Sequence, residues 1–179
     1  MKKVFSTLLV LMWTVTAFAQ SSIWTQEIDV IVELEIDNGS TTLSVFNMPQ
    51  EEQDQYYLCV GSLGIGDDFV QLRIDPVSQL FIPLGNTLED AQAKMEEIKA
   101  VASEPRGTVV ETSGILAVAS PALGDPEPVY LTARRVLLSR KVEFSVQRNG
   151  YVRATYVTRS DLGSLLSSVK FHRQLHPDK

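Results

Sequence analysis

Three glycines followed by two adjacent carboxylates, in Val60-Gly-Ser-Leu-Gly-Ile-Gly-Asp-Asp-Phe69, are the residues that most suggest chemistry. The backbone amides of a glycine-rich loop can cradle a phosphate, and neighbouring carboxylates can hold a hard cation. The spacing fits neither. A dinucleotide fingerprint needs G-x-G-x-x-G between a strand and a helix, whereas Gly61, Gly64 and Gly66 are spaced otherwise and lead into another β-prone run. No Gly-Lys-Ser/Thr ending follows, and Asp67 and Asp68 lack the alternation and the distal Glu of a calcium loop. The stretch is expected to be a glycine-rich hairpin connection.

Nucleophilic and metal chemistry are served no better. The single cysteine, Cys59, lies in the apolar run Tyr-Tyr-Leu-Cys-Val and reads as a small core residue. The only histidines, His172 and His176, form one i,i+4 pair near the C-terminal end, without the third ligand that zinc wants. No Gly-x-Ser-x-Gly elbow occurs, and the many carboxylates alternate along strand-like runs instead of converging. No catalytic residue, metal ligand set or cofactor is assigned.

The basic residues are more informative. Arg134 and Arg135 precede Arg140 and Lys141 by a few positions, and folding the chain about Asn149-Gly150 sets Arg140 opposite Arg159. Like charges facing one another are unfavourable unless solvated or bridged by an anion, for which guanidinium forks are natural ligands. The run Ser-Pro-Ala-Leu-Gly-Asp-Pro-Glu-Pro, with Pro121, Pro126 and Pro128, is a second candidate contact surface, because long ordered loops often carry function. Charge is divided along the chain. Residues 20 to 103 hold 15 acidic and 3 basic residues, and residues 104 to 179 hold 7 acidic and 11 basic. The overall formal charge of −6 argues against nucleic acid as a partner.

The elements that would position these groups follow from periodicity. Ile28, Val30, Val32, Leu34 and Ile36 alternate with acidic residues, and Asn38-Gly39 supplies a tight hairpin turn that sets Leu34 opposite Leu43 and Val32 opposite Val45. Strands are expected at residues 56–61, 69–74 and 79–84, then a helix capped by Asn86 with Glu89, carrying Leu88, Ala91, Met95, Ile98 and Ala102 on one stripe. Further strands are expected at residues 108–119, 129–138, 141–147 and 151–158. The turn Asn149-Gly150 sets Val142 opposite Val157 and Phe144 opposite Thr155, with Lys141 and Glu143 on the other face. A closing helix begins near Ser160 or Asp161 and carries Leu162, Leu165, Leu166 and Val169.

The first residues resemble a bacterial export signal. Lys2 and Lys3 precede an apolar run from Phe5 to Phe18, and Ala17-Phe18-Ala19 is a small-x-small cleavage site. No cysteine sits at the junction, so lipid attachment is not expected. The run falls short of the ~20 residues of a spanning helix, so the mature chain is expected to have no transmembrane span.

The chain thus reads as a signal peptide (1–19), an acidic β-rich unit ending in a helix (20–103) and a basic β-rich unit ending in a helix (104–179), the two forming separate units or one domain. The fold class is α+β, a mostly antiparallel sheet or sheets with two amphipathic helices. The expected function is that of an exported, non-catalytic envelope protein, periplasmic or extracellular, binding a protein partner or an anionic ligand. The alternative is a small exported hydrolase with a cleft between the two units. Edge-strand addition to an assembly is a third reading, carried by the β-richness alone.

Overall fold

The computed structural model describes residues 29–35, 41–48, 53–66, 73–74, 78–118, 124–148 and 150–176. The expected signal peptide, Asn38-Gly39, Asp67-Asp68, Pro121 and Asn149 lie outside the described residues.

The fold is α+β and the sheet is antiparallel throughout. Strands β1 (Asp29–Glu35), β2 (Thr42–Asn47), β3 (Tyr56–Gly61), β4 (Gly64–Gly66), β5 (Arg73–Ile74) and β6 (Ser78–Gly85) precede helix α1 (Leu88–Val101). After it come β7 (Val109–Val118), β8 (Glu127–Val136), β9 (Ser139–Arg148), β10 (Tyr151–Thr158) and helix α2 (Arg159–Leu175). Both hairpin registers agree with the sequence reading: Val32 faces Val45, Leu34 faces Leu43, Val142 faces Val157 and Phe144 faces Thr155. Period-two alternation fixes such registers, because a slip by one residue would turn every apolar side chain to the wrong face.

The glycine stretch is not the simple turn expected. Gly64–Gly66 is a strand in its own right, paired with β5 on one side and with β10 on the other. Ser62, held at a φ of +56°, and Leu63 kink the chain between β3 and β4. Ser78 staples the kink: its carbonyl accepts from the Ser62 amide at 2.8 Å, and its hydroxyl accepts from the Leu63 amide at 2.9 Å. The kink redirects the chain from β3's partner on that edge to β10. Following the ladders from β3 through β6, β7, β8, β9 and β10 therefore leads to β4, two residues from the starting point. The sheet closes on itself, with the β1–β2 hairpin continuing beside β3. A buried contact of 3.1 Å between the Thr41 and Thr155 hydroxyls ties the start of β2 to β10.

β7 serves two partners, residues 109–114 pairing with β8 and 115–118 with β6. Gly114 sits at the change-over, where an added Cβ would lie 2.7 Å from the Val129 side chain and 3.0 Å from the Phe81 carbonyl oxygen. Close approach, rather than special backbone dihedrals, makes glycine the fitting residue there.

Both helices lay their apolar stripes on this sheet and form one core with it. Leu88, Ala91, Met95 and Ile98 of α1 and Leu162, Leu165, Leu166 and Val169 of α2 are buried with Leu58, Ile82, Leu116, Leu131, Phe144 and Val157. The helices run antiparallel, with Lys170 2.8 Å from Glu96 and Arg173 3.4 Å from Glu89. The α1 cap lies one residue later than expected. Thr87, not Asn86, accepts from the amide of Asp90, not Glu89, at 3.0 Å. Either pair satisfies the spacing rule, and the overlap of two capping patterns makes the choice invisible in sequence. No helix among the described residues is long and apolar enough to cross a membrane.

Cys59 is buried on the opposite sheet face, in a second cluster with Phe46, Met48, Tyr57, Phe81 and Ala117. Burial pushes its thiol up to about 12, so it remains protonated and is no nucleophile at neutral pH.

Candidate functional site

β8 and β9 are joined by a two-residue turn, Leu137-Leu138, and the rungs behind it pair Val136 with Ser139, Arg135 with Arg140, and Arg134 with Lys141. On the β8 side the cross-strand neighbour of Arg140 is thus Arg135, while on the β10 side the expected register holds but ends one rung before Arg140 and Arg159. The ladder between β9 and β10 stops at Lys141–Thr158. Thr158 becomes the helix N-cap: its hydroxyl accepts from the Asp161 amide at 3.1 Å, and Asp161 returns a carboxylate contact to the Thr158 amide at 3.2 Å. That reciprocal cap turns Arg159 into the first residue of α2.

Arg140 and Arg159 nevertheless face the same groove, a space of about 1130 Å³ that Lys99 of α1 and Lys141 of β9 also line. A neighbouring recess of about 270 Å³ adds Arg106, Arg134 and Arg135 and shares Arg140; the carboxylate of Glu104 also lines it, without a salt bridge to any of these arginines among the described residues. Lys99, Arg106, Arg135, Arg140, Lys141 and Arg159 thereby converge on one end of the molecule. None of them makes a salt bridge among the described residues. Asp161, the carboxylate lining the larger space, is already engaged by the cap. The arrangement is chemically suited to hold an anion, since guanidinium and ammonium donors give strong charge-assisted hydrogen bonds to phosphate- or carboxylate-like oxygens.

Arg134 has a different task. Its Nε and Nη2 donate to Glu143 at 2.9 and 3.0 Å, a two-pronged pair in which the Glu143 side chain is only 1% exposed. The bond to Glu143 raises the Arg134 guanidinium above its ordinary value. Burial, followed by a hydrogen bond to the same carboxylate, raises the Tyr156 hydroxyl. Alternation placed Glu143 on the outer face, as found, but did not reveal that this face is covered.

The proline-bearing surface is not brought to the basic end. Pro126 and Pro128 are exposed and lie at the start of β8, whereas Arg135 lies at its finish. At ~3.3 Å per residue the strand separates them by roughly 23 Å. Lys99 and Arg106 were missed by sequence reasoning. They stand on α1 and on the segment following it, and only the packing of α1 beside the β8–β9 hairpin brings them to the groove. His172 and His176 face each other on the last turn of α2, ring centroids 4.6 Å apart, and do not line the groove. Among the described residues no group of three His, Cys, Asp or Glu is placed to hold a metal ion.

Compared with protein-family models, with curated proteins and with solved structures, the chain finds no match.

Proposed function

We propose that this chain is an exported, non-catalytic protein of the cell envelope, periplasmic or extracellular, that binds an anionic ligand or the acidic surface of a protein partner at its basic end. The observation that carries the reading is the convergence of Lys99, Arg106, Arg135, Arg140, Lys141 and Arg159 with no carboxylate bridging them among the described residues. Spreading these cations over the surface would relieve their repulsion, whereas concentrating them around a groove is favourable when an anion occupies it. The export part of the reading is supported by the basic, apolar and small-x-small pattern of residues 1–19.

The test is calorimetric titration of the chain from Gln20 onward with inorganic pyrophosphate, as a compact polyanion, at low and moderate salt. Binding should weaken as salt rises, and Arg140→Glu with Arg159→Glu should lower the affinity by at least ~100-fold, since each charge-assisted contact contributes about 1.5–3 kcal/mol. Equal affinity in the double variant, or no binding by the unaltered chain at low salt, would reject the groove as an anion site.

A further inference from the structure

The β8–β9 turn is made of residues that serve the fold badly. Leu137 is held at a φ of +54°, a conformation that favours glycine at the first central position of a two-residue hairpin. Its side chain is 93% exposed, that of Leu138 is 98% exposed, and Val136 beside them is 52% exposed. In the next hairpin of the same chain, behind the rung Arg148–Tyr151, it is a glycine, Gly150, that carries the positive φ of +78°. A backbone-compatible solution is thus used one turn later, while here two leucines stand in solvent on a constrained backbone.

The surroundings give the leucines a use. Directly behind the apolar tip comes the Arg135–Arg140 rung, then Lys141, with Arg159 at the adjoining helix start. Two residues of strand place the guanidinium rung ~7 Å behind the tip. Apolar side chains of surface-bound elements enter the headgroup and acyl boundary of a bilayer by roughly 5–10 Å. Leucines at that depth leave the arginines level with lipid phosphates. Leu137 and Leu138 stand in solvent in front of a cationic collar, with Leu138 at the rim of the basic groove, an exposed apolar and cationic edge that matches a soft anionic sheet better than a preformed protein pocket.

We infer that the Val136–Leu138 tip and its arginine collar dock this protein on the surface of a bilayer containing anionic phospholipid. The inference rests on the anion-binding reading of the basic end and assigns lipid headgroup phosphates as the anion. Binding is peripheral: the tip wedges, and Arg135, Arg140 and Lys141 engage phosphates electrostatically.

The experiment is co-sedimentation of the chain from Gln20 onward with vesicles of phosphatidylcholine alone or mixed with phosphatidylglycerol, run beside the pyrophosphate titration. The informative variant is Leu137→Gly with Val136→Thr, two exposed positions that do not line the groove; it keeps every cation and gives the positive-φ position the residue its backbone accepts, so folding is not at risk. Unaltered protein should partition onto the mixed vesicles and not onto phosphatidylcholine alone. The turn variant should lose at least about ten-fold in partition while its pyrophosphate affinity stays within about two-fold. Arg135→Glu with Arg140→Glu should lose both. Equal partition of the turn variant overturns the tip as the docking element. Pyrophosphate binding without vesicle binding overturns the membrane inference and leaves the anion site standing, and absence of both overturns the two together.

Discussion

Two adjacent arginines, Arg134 and Arg135, are expected to respond to the same substitution in opposite ways. Arg134→Met removes both bonds to Glu143, whose side chain is 1% exposed, and leaves that carboxylate covered with Tyr156 as a remaining hydrogen-bond partner. Breaking a buried pair from one side costs about 3–5 kcal/mol. Because the Arg134 side chain is itself 33% exposed, water can reach the vacated space, and the lower end, about 3 kcal/mol, is expected. In a chain of 179 residues that corresponds to a fall in Tm of about 6–12 °C. Arg135→Met, at an exposed position with no salt bridge among the described residues, should change stability by less than about 0.5 kcal/mol. Anion affinity should behave conversely, falling about ten-fold in Arg135→Met and staying within about two-fold in Arg134→Met. Urea unfolding followed by circular dichroism, with pyrophosphate titration of the same samples, reads both quantities. A loss below about 1 kcal/mol in Arg134→Met, or a similar loss in Arg135→Met, would refute the division of labour.

Two further predictions concern the scaffold. The Cys59 thiol rises from an ordinary 9.0 to about 12 on folding, so the unfolded chain releases its proton first and stability is lost as pH climbs from about 9 through 12. The loss amounts to roughly 4 kcal/mol at most, at 1.36 kcal/mol per unit, and the burial-raised hydroxyls of Tyr56, Tyr57 and Tyr156 act in the same direction above 10. Cys59→Ala should flatten the decline measured by urea unfolding between pH 8 and 11, and parallel declines in the two proteins would exonerate the thiol. Gly114→Ala should destabilise by about 1–3 kcal/mol, because the new methyl meets Val129 at 2.7 Å and the Phe81 carbonyl oxygen at 3.0 Å; an unchanged urea midpoint would mean that β7 has room to shift.

Much of the fold was legible because it is written locally. Alternating apolar positions fixed the two hairpin registers, and Leu162, Leu165, Leu166 and Val169 announced the face of α2. What escaped depends on contacts between distant residues. Three residues, Gly64–Gly66, are too few to show a period, yet their pairing with Val152–Ala154 closes the sheet. Arg134 and Arg135 look interchangeable in sequence, and only the covering of Glu143 sets them apart. The candidate site was half legible. Arg140 and Arg159 were found by registering one hairpin and Arg135 by its closeness in sequence, while Lys99 and Arg106 enter through helix packing that no local pattern encodes.

The kink at Ser62–Leu63 also bears on the order in which the molecule can assemble. The ring is shut by rungs joining Gly64–Gly66 to Val152–Ala154, so the strand that completes it is the last in the chain. Contacts so far apart in sequence form slowly, because the intervening chain must lose its freedom before the new rungs compensate. Until β10 exists, β4 has no neighbour on that side and Thr155 cannot meet Thr41. A polypeptide emerging from its point of synthesis therefore cannot lock early. For a chain threaded through a membrane before it folds, as in the export reading proposed above, late closure would keep it threadable for as long as passage requires.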